Sequence, residues 1–146
     1  MRLAALWLLA AACSRGDGRV VSAGDLEVRD AFAFSPPTTS EAAGYFTVVN
    51  RGSTPDTLLA ISSPIAASAM LHGQVPDGGM VRMEHVEAAV IPARDSLVLA
   101  PGGMHVMFMD LERRPQPGDS IAVRLRFARA GEVTLMIPVR SYSDAP

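Results

Sequence analysis

The sequence contains a single cysteine, Cys13, among its 146 residues. An intramolecular disulfide is therefore impossible, and the fold must be held by an ordinary hydrophobic core. Lysine and arginine form no cluster, which removes the electrostatic basis for binding nucleic acid. No apolar run after Ala12 is long enough to span a bilayer. Arrangements typical of hydrolases, such as serine–histidine–aspartate or paired carboxylates, are also missing, so the sequence predicts a binding protein and not an enzyme.

The composition that remains is typical of one globular domain. Apolar residues make up 49% of the chain and charged residues 19%, with 13 basic against 15 acidic side chains and a net charge of −2. Such a chain is too apolar to stay disordered, and its length suits one domain.

The first twelve residues predict an export signal. A positive start, Met1-Arg2, precedes the apolar segment from Leu3 to Ala12, which ends in three alanines. A strand or helix of the mature domain is the alternative, but the segment is short and has no amphipathic period. Cleavage after Ala12 is one outcome. Lipidation of Cys13 is the other, because residues 10–13 resemble a bacterial lipobox with alanine where leucine is usual. Either outcome predicts a protein of the periplasm or cell envelope.

The rest of the chain divides into a tether at 13–24, a β domain at 25–142 and a tail at 143–146. Short runs of strand-forming residues alternate with turns rich in glycine and proline, which predicts an all-β sandwich or small barrel. The expected strands are Leu26–Arg29, Tyr45–Val49, Thr57–Ile61, Ala69–His72, Met80–Met83, Ser96–Leu99, His105–Met109, Ser120–Phe127 and Val133–Val139.

Histidine and methionine are concentrated in one part of the chain. All three histidines and six of the eight methionines lie between residues 70 and 109. They are His72, His85 and His105, with Met70, Met80, Met83, Met104, Met107 and Met109. A methionine-rich core patch with surface histidines is the simple explanation, since methionine is usually buried. A metal site is the other, and strand geometry favours it for four residues.

The first pair comes from a predicted hairpin. Asp77-Gly78 is a strong turn signal, and a turn centred there places His72 directly opposite Met83 on one face. A four-residue loop from Pro76 to Gly79 gives the same register. On that register Met70 faces His85, and Met80 points to the other face.

The second pair lies on a later strand. Because side chains alternate along a strand, His105, Met107 and Met109 share one face, with His105 and Met107 about 7 Å apart. If this strand neighbours the hairpin, two imidazoles and two thioethers can meet.

The donor types then select the metal. Thioether sulfur is soft and neutral and suits Cu(I), whereas zinc prefers thiolate, imidazole or carboxylate, and calcium needs oxygen ligands. The sequence therefore predicts a Cu(I) site formed by His72, Met83, His105 and Met107. A blue-copper electron carrier is excluded because it needs a cysteine ligand, and Cys13 lies in the export region.

The same residues resemble the signature of periplasmic PCuAC-type copper chaperones. His72 is followed after ten residues by Met83, then after twenty-one by His105, and after one more by Met107. The segments at 43–50, 62–64, 91–93, 97–103 and 105–111 also resemble that family. The resemblance implies a cupredoxin-like Greek-key β-sandwich or barrel that binds Cu(I) through the four residues. It further implies copper delivery to the binuclear CuA centre of cytochrome c oxidase subunit II, sometimes with a thiol-reducing partner.

Three departures from the family pattern stand out. Glu84-His85 occupies positions where Arg-Pro is common, Met104 stands where an aromatic residue is usual, and residues 141–146 lack the His/Met-rich tail that serves a cupric site in some members. His85 is interpreted as a solvated surface residue, with a spare ligand beside Met70 as the alternative. Met80, Met104 and Met109 are expected to pack around the site. Copper storage or tolerance, and a non-metal interaction module of the cell envelope, remain as rival functions.

Overall fold

The computed structural model describes residues 19–145, and within that range the chain is almost entirely β. Eleven strands are followed by a short 3₁₀ turn at Tyr142–Asp144. The strands are β1 Val21–Ala23, β2 Leu26–Phe34, β3 Glu41–Asn50, β4 Asp56–Ser62, β5 Ala66–Asp77, β6 Met80–Val86, β7 Ala89–Ile91, β8 Ser96–Leu99, β9 His105–Leu111, β10 Ser120–Phe127 and β11 Gly131–Arg140. No helix in this part of the chain is long and apolar enough to cross a membrane.

The strands form two sheets that share one core. The first has the order β6-β5-β9-β3-β2, with β1 added to β2 and β8 added to β3. The second has the order β11-β10-β4-β7, and a short parallel pairing of β11 with β2 joins the two. Several hydrogen-bonded neighbours are far apart in sequence, as β5 and β9 are, so the chain crosses between sheets as Greek-key folds do.

The core explains why these runs become strands. Alternate residues of each strand are buried, among them Val106 and Phe108 of β9 and Val123 and Leu125 of β10. This period of two is the pattern of strands with one face in the core and one toward solvent. The intervening residues of β9 are only partly buried, so the side chains on the outer face of that strand are accessible to a ligand.

Two buried polar side chains, Asn50 and Asp56, are hydrogen-bonded and fix the loops at one end of the domain. The Asn50 side chain donates to the carbonyl oxygens of Thr54 and Ile91 and accepts from the Gly52 amide. The Asp56 carboxylate accepts from backbone amides that include those of Arg129 and Ala130. Paired in this way, buried polar side chains cost little and hold their loops in place.

The all-β prediction is confirmed, and the differences are local. The bounds of β8 and β10 are as expected, whereas most other strands extend further and β7 is an addition. Strand β1 lies inside the segment assigned to a tether and pairs with β2, so ordered structure begins before residue 25. The predicted signal, the Cys13 position and most of the tether lie outside the described residues.

The hairpin register also differs from the expectation. Strands β5 and β6 continue to Asp77 and Met80, and Gly78-Gly79 forms the turn with φ of +56° and +89°. A two-residue type I′ turn requires positive φ at both central positions, which two glycines adopt without strain. His72 therefore faces His85, not Met83, and the predicted pairing of Met70 with His85 is wrong.

Candidate metal centre

The candidate ligands lie on the outer face of three adjacent strands, β6, β5 and β9. Residues that are directly paired across a sheet point to the same side, and a register change of two residues keeps the face. Met83 pairs with Gln74, which lies two residues after His72, so Met83 still shares the face with His72. The predicted face is therefore correct, although the predicted partner is not.

The three histidines form one row across these strands. His72 of β5 is paired with His85 on one side and with His105 on the other. The ring centroid of His72 lies 6.4 Å from that of His85 and 5.8 Å from that of His105, with the rings nearly perpendicular in both cases. Sequence reasoning placed His85 beside the site but did not place it opposite His72.

The methionines flank this row on two sides. Met107 of β9 is paired with Met70 of β5, one step from the histidine row. Met83 lies one step from the row in the opposite direction, on the outer strand β6. Met70 is 37% exposed and Met83 is 44% exposed, so neither residue is buried in the core. Met80 pairs with Asp77 on the other face of the hairpin, as expected, but it is 76% exposed, so the expectation that it packs around the site is wrong.

The turn before β9 orients His105. Ala100 to Gly103 form a β-turn closed by a hydrogen bond of 2.9 Å from the Gly103 amide to the Ala100 carbonyl, with Gly102 at φ +81°. Proline and then glycine at the central positions are the signature of a type II turn. The carbonyl of Gly103 lies 3.0 Å from Nδ1 of His105. Because a carbonyl oxygen only accepts, Nδ1 carries the hydrogen, and Nε2 of the neutral ring is left free to bind a metal.

Electrostatics favour the neutral, ligating form of His72. Partial burial, followed by the nearby His105 and then His85, lowers the pKa of His72 below its usual value, and Glu41 opposes this in part. Desolvation and neighbouring positive charge both disfavour a protonated imidazole. His72 therefore keeps its lone pair to lower pH than an ordinary histidine.

Aromatic residues border the site on the side of β3 and β2, on the same outer face as His105. The ring of Tyr45 lies 6.4 Å from that of His105, and Tyr45 itself contacts Phe32 and Phe34. Burial, and to a smaller extent Tyr142, raises the pKa of Tyr45, which stays neutral. Met104 packs against the core beneath the site.

Nitrogen and oxygen donors alone do not form a ready site. In residues 19–145, no three histidine, cysteine, aspartate or glutamate side chains are arranged to hold a metal between them. The other candidate donors on this face are the thioether sulfurs of the methionines. Sulfur of this kind selects soft ions such as Cu(I) over zinc or calcium.

Comparison with known proteins assigns the family. A family model described as "Putative lipoprotein LpqE-like" matches residues 26–139, which is most of the described domain. The chain belongs to the LpqE-like family. A curated relative, "Putative lipoprotein Lxx21020" of Leifsonia xyli subsp. xyli, is 35% identical over 104 residues, which cover 70% of this chain and 63% of the relative. The LpqE-like chain therefore spans a little under two thirds of that relative's length.

Solved structures with a similar fold include PCuAC domains and the protein DR1885. The copper-bound PCuAC domain from PmoF2 is 25% identical, with a TM-score of 0.73 over 84% of this chain and 98% of that domain. The apo PCuAC domain from PmoF1 is 27% identical, with a TM-score of 0.71 over 88% and 100%. The Cu(I) form of DR1885 from Deinococcus radiodurans is 31% identical, with a TM-score of 0.64 over 77% and 76%. These likenesses confirm the predicted cupredoxin-like fold class.

Proposed function

We propose that this LpqE-like protein is a metallochaperone of the cell envelope that binds one Cu(I) ion through His72, Met83, His105 and Met107. Its task is binding and transfer, without catalysis. The observation that carries the proposal is the common outer face of β5, β6 and β9. On that face the rings of His72 and His105 lie 5.8 Å apart, and accessible methionines flank them. The likeness to a copper-bound PCuAC domain and to the Cu(I) form of DR1885 supports the same function.

The chemistry of the four donors suits a transferable Cu(I) ion. Imidazole and thioether are both neutral, so the complex keeps a low charge and is cheap to place in a partly buried position. Thioether binding is selective for soft ions. Because Met83 is 44% exposed at the edge strand, a recipient protein can approach the ion directly.

Cu(I) titration of the purified exported domain tests the ligand set. Competition with a chromophoric Cu(I) chelator under anaerobic conditions gives the affinity and a stoichiometry, expected to be one. We expect Met83→Leu and Met107→Leu to weaken binding at least tenfold each, because leucine keeps the volume but removes the sulfur. Met80→Leu is the matched control, since Met80 lies on the other face of the same hairpin, and should change affinity less than twofold.

A non-metal interaction module would give the opposite result. It would not bind Cu(I) above the level of the chelator, and the Met83 and Met107 variants would behave as the parent does. Either finding would remove the proposal.

Delivery, as opposed to storage or tolerance, requires a transfer assay. We propose the CuA centre of cytochrome c oxidase subunit II as the recipient, on the strength of the resemblance to PCuAC chaperones. The Cu(I)-loaded protein is mixed with the apo CuA domain, and copper in each protein is measured after separation. Copper that stays on this chain at equilibrium, with an excess of recipient, would favour storage.

The family and the curated relative are both described as lipoproteins, which supports export and a lipid on Cys13. In the native host, the parent chain should fractionate with membranes and Cys13→Ser should not. A parent chain that is fully soluble in the periplasm would leave export in place but remove the anchor.

A further inference from the structure

Met70 occupies a place on the metal-binding face that the four-residue ligand set leaves out. It lies two residues before His72 on β5, so both side chains point to the same side. Its direct partner on β9 is Met107, just as His105 is the direct partner of His72. Two successive same-face pairs of this ladder therefore consist of two imidazoles and two thioethers.

The dimensions of this block suit a single ion. Directly paired residues have Cβ atoms roughly 5 Å apart, and successive same-face rows lie about 7 Å apart. Two imidazoles that bind one metal at about 2 Å from each nitrogen have ring centroids about 5 Å apart. The rings of His72 and His105 are already 5.8 Å apart. Small side-chain rotations therefore suffice to bring both rings to one ion beside Met70 and Met107.

Met83 approaches from a different direction. It is paired with Gln74, so it lies beyond the histidine row on the side away from Met107, and β5 separates its strand from β9. Met70 has no such separation, because it adjoins both His72 and Met107 in the ladder. Met70 is 37% exposed, so it is not buried in the core. It also borders a cleft of about 320 Å³ that is lined in part by Leu59 and His85.

We propose that Met70 is a Cu(I) ligand, which binds the ion in a four-donor block with His72, His105 and Met107, while Met83 adds a longer and weaker contact from the edge strand. This inference rests on the proposed function, since it presupposes that the face binds Cu(I). It adds a donor two residues before the first histidine, outside the spacing that defines the predicted set.

The test combines affinity with a direct count of sulfur ligands. Met70→Leu is prepared in the exported domain, and correct folding is checked by circular dichroism. Cu(I) affinity is measured by chelator competition, and X-ray absorption at the copper edge counts the sulfur neighbours. We expect at least a tenfold loss of affinity and one sulfur fewer than in the parent. Met80→Leu should change neither quantity.

The sulfur count decides the outcome. An unchanged count in Met70→Leu overturns the proposal, even if the affinity falls, because the residue would then act only through packing. The proposed function fails separately, if the parent does not bind Cu(I) or if Met107→Leu has no effect. A silent Met70→Leu beside weakened Met83 and Met107 variants would overturn only the present inference.

Discussion

His72 is the residue on which the candidate site depends most, because it is the only histidine with another histidine on each side. Its own partial burial and these two neighbours keep its pKa low. His85 is therefore not an isolated surface residue, because it is paired with His72 and helps to lower the pKa of His72. Although exposed, it acts on His72 through charge across a ring separation of 6.4 Å.

This coupling gives a prediction for the apo protein. Replacement His85→Asn removes an imidazole whose charge contributes to lowering the pKa of His72. The pKa of His72 should therefore rise toward its usual value while staying below it, since burial and His105 remain. The pKa of His72 is measured from the pH dependence of the NMR chemical shifts of its ring protons. Met80→Leu serves as the control and should leave the titration unchanged. A pKa of His72 that stays fixed or falls in His85→Asn would contradict the coupling.

Copper binding should depend on pH for the same reason. Protons compete with Cu(I) for the imidazole nitrogens, whereas thioether sulfur does not titrate in this range. Because the pKa of His72 is lowered, affinity should hold near neutral pH and fall as the pH drops toward 5. Chelator competition at several pH values checks this. An affinity that is flat from pH 8 to 5 would argue against ligation by His72 and His105.

At the scale of elements, the β5–β6 hairpin sets the position of Met83. Its register depends on Gly78 and Gly79, which both have positive φ. A side chain at Gly78 meets no atom within 4 Å, so any effect of substitution comes from the backbone and not from a clash. Asparagine tolerates positive φ, and Asn-Gly is a favoured type I′ pair, whereas valine is strongly disfavoured there.

Substitution of Gly78 by asparagine and by valine should therefore have different effects on the Cu(I) affinity. Gly78→Asn should keep the Cu(I) affinity within about twofold of the parent, because the turn and register are retained. Gly78→Val should weaken Cu(I) binding several-fold, since strain of roughly 1–3 kcal/mol favours other hairpin conformations that displace Met83. Chelator competition measures both. Equal affinities for the two variants would mean that the turn does not position the ligand.

The hairpin also shows how far local sequence patterns reach. Alternation predicted the bounds of β8 and β10 and the shared face of His105 and Met107, because both follow from a period of two residues. The turn was placed one residue early because Asp77-Gly78 is a favourable pair when considered alone. The structure instead uses the two glycines.

The pairing of strands that are distant in the chain could not be predicted from residue alternation. The pairing of Met70 with Met107 depends on which strands become neighbours, and β6, β7 and β8 lie between β5 and β9 in the chain. The assumption that the hairpin adjoins β9 is correct, but alternation alone gives no register between the two strands. The predicted metal ligands themselves stay a prediction until copper is measured.

At the scale of the molecule, the candidate site involves side chains from three adjacent strands of the first sheet, β6, β5 and β9. Among residues 19–145, strand β6 pairs only with β5 and is the outer strand of the first sheet, while β9 pairs with β5 on one side and with β3 on the other. An ion bound by residues of β5, β6 and β9 adds a link across the three strands. Such a link is present only in the folded state, because unfolded chains do not preform the site.

Cu(I) should therefore raise the thermal stability of the whole domain. A ligand that binds only the folded state, at a free concentration 100 times its Kd, stabilises it by about 2.7 kcal/mol. For a domain of this size that corresponds to a rise in Tm on the order of 10 °C. The measurement is anaerobic thermal unfolding followed by circular dichroism, with free Cu(I) fixed by a chelator buffer. Met107→Leu should lose about half of the rise or more at the same free Cu(I), because a tenfold higher Kd lowers the stabilisation to about 1.4 kcal/mol, while Met80→Leu should retain it. If Met107→Leu kept the full rise, copper would be stabilising the domain from a place other than the β5–β6–β9 face.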